Sequence, residues 1–194
     1  MHPLIRRFPS EAFYDGEIMD GENVCKRSLD KHMKALSAVI RRSVFFDLQL
    51  SRENAQNSSK LNMDEIRFTM NLVRFIFKVS REGRSYAQSL AGKIAIVTPY
   101  KAQVQNLKNA LGPYLRNMGC QLSDIEINTV DAFQGREKDI IIFNCVRSNT
   151  MSSVQGSLGF LTDVRRLNVA VTRPRHFLFV VGNANTLLKS DTWA

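Results

Sequence analysis

K-I-A-I-V-T-P-Y-K-A-Q-V-Q-N-L-K-N-A-L, residues 93–111, is where the pattern of the chain becomes regular. Lys93 to Thr98 is a continuous apolar run, the profile of a strand covered on both faces. Pro99 ends it, because proline has no N–H to give to a sheet. From Tyr100 onward Ala102, Val104, Leu107 and Leu111 turn inward on a helix, and Gly112-Pro113 is read as its stop. The alternation then repeats. Ile125 to Val130 and Asp139 to Val146 read as strands. Asp163 caps a helix with Leu167, Ala170 and Val171 at the spacing of a buried stripe. His176 to Gly182 is a further strand, and Asn185 to Lys189 a closing helix. Strands alternating with helices pair in parallel, so the expected fold is α/β, a mostly parallel sheet with helices on both faces. In such sheets ligands collect at the carboxyl ends of the strands.

Upstream the signals are sparser. Ser43 to Leu48 is a short strand. Asn62 and Glu65 form a capping-box pattern, followed by Ile66, Met70, Val73 and Phe77 on one helical face. Phe68, Leu72, Phe75 and Ile76 widen that face, while Arg67, Asn71, Arg74 and Lys78 trace the polar side and read as solvated. Gly83 lies just past the end of this helix. Ser51 to Lys60 is polar with nothing to bury, and is expected to be a mobile surface loop. Gly21 to Ala35 reads as loop or short helix. The opening residues, M-H-P-L-I-R-R-F-P-S-E-A-F-Y-D-G, describe an ordered segment with Ile5, Phe8, Phe13 and Tyr14 to bury and a turn at Asp15-Gly16. Such a start leads us to expect further chain upstream, with residues 1–194 forming one domain.

Composition narrows the class. The 194 residues carry a net charge of +9, which favours a polyanionic partner such as nucleic acid, and a hydrophobic content of 44% suits an ordinary globular core. No apolar run approaches the roughly 18 residues that span a bilayer, and no signal-peptide pattern opens the chain, so a soluble, intracellular protein without a membrane partner is expected. Cys25, Cys120 and Cys145 are scattered and odd in number, and His2, His32 and His176 lack ligand spacing. Neither a disulfide framework nor a metal site is indicated.

Three stretches carry candidate chemistry. T-P-Y-K-A-Q, residues 98–103, places Tyr100 and Gln103 where a strand gives way to a helix, a place for base stacking and for phosphate, though Tyr100 could equally be a hydrophobic staple. T-V-D-A-F-Q-G-R-E-K-D, residues 129–139, packs Asp131, Gln134, Arg136, Glu137, Lys138 and Asp139 between two buried strands, denser charge than a linker needs. G-F-L-T-D-V-R-R-L-N-V-A-V-T-R-P-R, residues 159–175, carries Arg165, Arg166, Arg173 and Arg175. Arg166 and Arg173 lie about two helical turns apart on nearly one face, either as guanidinium forks for an anion or as a solvated basic face. No G-x-x-x-x-G-K-[ST] phosphate loop occurs; Ala91-Gly92-Lys93-Ile94 lacks both its first glycine and its hydroxyl. The chain therefore supplies at most part of a nucleotide site. No G-x-G-x-x-G follows any strand either, which disfavours a dinucleotide enzyme.

These three stretches resemble motifs IV, V and VI of superfamily 1B helicases of the up-frameshift/senataxin group, and the opening Met-His-Pro resembles the start of that group's second motor domain. Q-G-S-L-G-F-L and the closing T-L-L-K-S-D-T-W are most similar to senataxin-like members. The resemblance implies a second RecA-like domain of P-loop NTPase fold without its own Walker A motif. It would be half of an ATP-driven motor moving 5' to 3' on single-stranded RNA or DNA, or unwinding RNA–DNA hybrids, in the nucleus. ATP and Mg2+ would be held mainly by the first RecA-like domain, leaving this half inactive alone. By motif position, Arg173 would be the arginine finger, with Glu137 at the nucleotide edge and Arg166 a second cleft residue or the partner of Asp131. Pro99, Tyr100, Gln103, Thr129 and Gln134 would face the nucleic acid. Two departures stand out. The family arginine before Met-His-Pro would precede Met1. Pro174 replaces the usual alanine, and since proline disfavours α conformation in the residue before it, Arg173 is expected at a forced helix end. A non-catalytic module binding nucleic acid or protein is the alternative.

Overall fold

A computed structural model describes residues 1–25, 29–80, 90–148 and 155–193; Gly83 lies outside them. The strands are β1 (Ser43–Asp47), β2 (Glu53–Gln56), β3 (Ser59–Asn62), β4 (Ile94–Thr98), β5 (Ile125–Thr129), β6 (Lys138–Asn144) and β7 (Pro174–Gly182). The helices are α1 (Pro3–Phe13), α2 (Glu22–Cys25), α3 (Lys31–Ser37), α4 (Met63–Val79), α5 (Lys101–Asn117), α6 (Val164–Thr172) and α7 (Ala184–Leu187). Five strands form one sheet in the order β1-β7-β6-β4-β5. Every pairing in it is parallel.

Strand alternation sorts the core into two layers, because successive side chains leave opposite faces of a sheet. Ile94 and Ile96, Ile140 and Ile142, and Phe177 and Phe179 point one way, onto α3, α4 and α5 through Leu36, Val73, Ile76, Leu107 and Leu111. Ala95 and Val97, Ile141 and Phe143, and Leu178 and Val180 point the other way, onto Ile5 of α1 and Leu167, Ala170 and Val171 of α6. Covered strands tolerate no polar side chain without a partner, which is why the central runs read as nearly all apolar. The arrangement is the expected RecA-like α/β fold.

Several local expectations are met and others corrected. Asp163 caps α6, its Oδ1 accepting from the N–H groups of Arg165 and Arg166 at 3.0 and 3.3 Å. The opening segment is helical, with His2 as its cap. Ser51 to Lys60 is not an irregular loop: most of it belongs to the antiparallel hairpin β2–β3. The Glu53 carboxylate and the Ser51 carbonyl hold the start of that hairpin to Arg147 and Ser148, just beyond β6, polar contacts that hydropathy does not register. Gly112-Pro113 does not stop α5, which runs on to Asn117. The hydrogen bond that Pro113 forfeits lies on the exposed side, whereas the next turn buries Leu115 and packs Tyr114 against Phe77 with ring centroids 6.3 Å apart. The last long strand begins at Pro174 rather than His176, since Pro174 pairs with Lys138.

Candidate functional site

Parallel strands give the sheet two chemically different edges, and the candidate residues divide between them. Pro99, Tyr100 and Thr129 follow or end β4 and β5 at the carboxyl edge. Residues 130–137 then carry the chain back across the sheet to the amino end of β6. A 3-10 turn, Asp131–Phe133, starts this return, and Phe133, with no exposed surface, anchors it. Gly135 adopts φ 78°, a left-handed conformation in which a Cβ would be strained. Glu137 therefore emerges at the amino edge, against the expectation that all candidate loops sit at strand carboxyl ends. Gln134 lies exposed on the return itself.

Arg166 and Arg173 do not form a pair. At about 1.5 Å of rise per residue they stand roughly 10 Å apart along the axis. Arg166, near the N-terminus of α6, pairs with Asp131 at 3.2 Å and Asp163 at 3.6 Å, and its guanidinium lies 4.1 Å from the centroid of the Phe160 ring. Of the two roles expected for it, partner of Asp131 is the one the geometry displays. Arg173 ends the helix at the amino edge. Its Nη2 donates to Thr172 Oγ1 at 2.9 Å, and no carboxylate among the described residues pairs with it. Pro174 has half the expected effect: the helix stops at Thr172, yet Arg173 keeps helical angles of φ −81° and ψ −21°. The Arg173 carbonyl accepts from the Lys138 N–H at 3.3 Å, which stitches helix end to strand start.

Around Arg173 the amino edge is rich in donors. Arg175 pairs with Glu137 at 3.2 Å, and Lys138 Nζ donates to the Gly92 carbonyl at 2.9 Å. A cleft of about 290 Å³ opens between Gly92, Lys93, Glu137, Lys138, Asp139 and Arg175. A smaller one, of about 150 Å³, lies beside it between Met1, His2, Arg42, Arg175 and His176. Burial, and then the nearby cations Arg42 and His176, hold His2 below its ordinary value of 6.5. Among the described residues no three His, Cys, Asp or Glu side chains gather as a metal cluster. The donor set fits the phosphates of a nucleotide rather than its metal.

The carboxyl edge is held by a buried polar network. Gln103, expected to face nucleic acid, has no exposed surface. Its Oε1 accepts from the Asn62 N–H at 2.9 Å and its Nε2 donates to Asn144 Oδ1 at 3.3 Å, so its amide is spent inside the fold. Pro99 is buried as well. Tyr100 and Thr129 remain half-exposed at the surface. Asn62 caps α4 through Oδ1, as the capping box predicts, but Glu65 does not reach back to it. Both Glu65 oxygens instead accept from the Val146 N–H, at 2.8 and 3.0 Å, while Asn62 Nδ2 donates to the Val146 carbonyl at 3.1 Å. Val146 needs these clamps because its φ of 70° is a strained conformation for a β-branched residue. Arg147 follows. Its Nε bonds Glu53 Oε2 at 2.7 Å, its side chain only 9% exposed. Glu53, Glu65 and Arg147 are the residues sequence reasoning passed over: one sits in a polar stretch that looked solvated, one looked like a cap, and the third belongs to no motif quoted above.

Residues 1–185 match the family model AAA_12, an AAA domain. The chain belongs to this family. All of it aligns with Helicase SEN1 of Saccharomyces cerevisiae at 37% identity, with the Probable helicase senataxin of Homo sapiens at 34%, and with Regulator of nonsense transcripts 1 of Caenorhabditis elegans at 37%. These matches span 8%, 6% and 17% of the respective relatives. The resemblance to second RecA-like domains of the up-frameshift/senataxin helicases is thus matched over the whole chain, and the protein falls in a helicase family that uses nucleoside triphosphate. No described helix is long and apolar enough to cross a membrane.

Proposed function

We propose that this chain is the second motor half of an ATP-dependent helicase that moves 5' to 3' on single-stranded RNA or DNA and opens RNA–DNA hybrids, acting in the nucleus. The observation that carries the reading is Arg173: a guanidinium at a helix end, with no carboxylate partner among the described residues, on the same edge as Glu137 and Lys138. The chain has no phosphate loop, so it would complete a nucleotide site whose other wall is the first RecA-like domain. ATP with Mg2+ would supply the phosphoryl group whose transfer to water drives the motor. Arg173 would meet the charge that develops on that group, and Glu137 would bind at the edge of the nucleotide. Arg166, neutralised by Asp131, would bear on the cleft through the return loop. At the opposite edge, Tyr100 and Thr129 would face the nucleic acid, with Gln134 meeting it from the return loop and Pro99 and Gln103 shaping the track from beneath. A net charge of +9 supports a phosphate-backbone partner.

The test needs a longer protein that includes the first motor domain. Arg173→Ala should lower its RNA-stimulated ATP turnover by about 10³ or more with little change in RNA affinity. Unchanged turnover in that variant would remove the finger assignment. The 194-residue chain alone should turn over no ATP while binding single-stranded RNA in a salt-sensitive way; robust turnover by it would contradict a divided site.

A further inference from the structure

One branch of the polar network at the carboxyl edge, from Glu53 through Arg147, leads to Tyr100. Tyr100 is the N-terminal cap residue of α5, but its side chain makes no capping hydrogen bond. Its hydroxyl instead faces the Arg147 guanidinium, the two groups meeting beneath Gly159 and coupled electrostatically. Arg147 cannot swing freely, since Glu53 Oε2 holds its Nε at 2.7 Å. Glu53 is fixed in turn by the Ser148 N–H at 2.9 Å and Lys60 Nζ at 3.1 Å. The backbone before Arg147 is set by the left-handed Val146 and its two clamps, Glu65 of α4 and the cap residue Asn62. Gly159 closes over the pair: a Cβ there would stand 3.6 Å from Arg147 Nη1 and 3.9 Å from the Tyr100 hydroxyl.

We propose that Arg147, braced by Glu53, is a positioning residue for Tyr100, tying the phenol by its hydroxyl so that the ring meets a base of single-stranded nucleic acid already fixed in place. The proposal rests on the reading that Tyr100 faces nucleic acid. An aromatic ring tethered at both its backbone and its hydroxyl loses little freedom when a base stacks on it, and the ordering cost of binding falls accordingly. Burial pushes the phenol above its ordinary value of 10.0, so the tether stays protonated at neutral pH.

The experiment is a double-mutant cycle on the 194-residue chain, with affinity for a fluorescein-labelled oligouridylate measured by anisotropy and the fold followed by circular dichroism. Tyr100→Phe keeps the ring and removes the tether; it should weaken binding about three- to tenfold, the range that one freed side chain implies. Arg147→Met should weaken it similarly, and the double variant no more than the stronger single one. Losses that multiply would show that Arg147 acts by another route and overturn the proposal. Should Arg147→Met fail to fold, Tyr100→Phe decides alone. Unchanged binding by Tyr100→Phe beside a clear loss by Tyr100→Ala sinks the tether while leaving the track intact. No loss by Tyr100→Ala removes the nucleic-acid role of Tyr100, and the tether with it.

Discussion

Replacing Glu65 by Gln takes a titrating group out of the interior while keeping an acceptor for the Val146 N–H. Glu65 is completely buried, and burial pushes its carboxyl well above the ordinary 4.5, with the hydrogen bond from Val146 opposing but not cancelling the shift. A carboxyl raised in this way still holds its proton in the folded protein after the unfolded chain has released it. The stability this confers is complete below the ordinary value and is lost as pH rises toward the folded one, at up to about 1.4 kcal/mol per pH unit. The amide of the Glu65→Gln variant does not titrate. Urea unfolding of both proteins between about pH 5 and pH 8 should therefore show the native chain losing ground to Glu65→Gln as pH rises. A constant offset of about 1–3 kcal/mol in either direction is compatible, because the amide group must find its own partner. Parallel pH profiles for the two proteins would refute the argument, since they would mean that Glu65 ionises alike in folded and unfolded chains. Glu65→Ala should be less stable than the Gln variant by about 1–3 kcal/mol, the cost of leaving the strained Val146 with an unpaired N–H.

Two further substitutions probe the packing beneath the candidate surfaces. In Gly182→Ala the new methyl group would stand 3.0 Å from Cys145 Cβ and 3.1 Å from its Sγ, so urea unfolding should show a loss of about 1–3 kcal/mol; an unchanged midpoint would mean that β6 and β7 separate more easily than their packing indicates. Asn62→Ala removes both the cap of α4 and the donor to the Val146 carbonyl and should cost at least about 2 kcal/mol in the same assay, where a loss below about 0.5 kcal/mol would show that water replaces both bonds.

The candidate residues are divided between the two edges of the sheet. Among the segments that run between the amino edge, with Arg173 and Arg175, and the carboxyl edge, with Tyr100 and Arg147, are the return loop of residues 130–137 and helix α6. Arg166 and Asp131 lock these two together at 3.2 Å.

Apolar runs at Ile94, Ile140 and Phe177 announced strands covered on both faces, and Leu167, Ala170 and Val171 announced a helix seated on them, because burial leaves a periodic mark on the chain. Asp163 and Asn62 were legible as caps for a similar reason: their partners lie two or three residues away. Pro113 misled, since whether a helix survives a proline depends on which side the lost bond faces, and only packing decides that. The fates of Gln103, Glu65 and Glu53 were equally illegible. A buried amide or carboxylate is recognised by partners 41, 81 and 94 residues distant, as in Gln103 with Asn62, Glu65 with Val146 and Glu53 with Arg147. The sequence by itself determined the alternation of strands and helices from Lys93 onward, the basic character and the residues available for chemistry. Which of those residues reach the surface, and at which edge of the sheet, was decided by the tertiary structure, because parallel crossovers send neighbours in the chain to opposite ends of the strands.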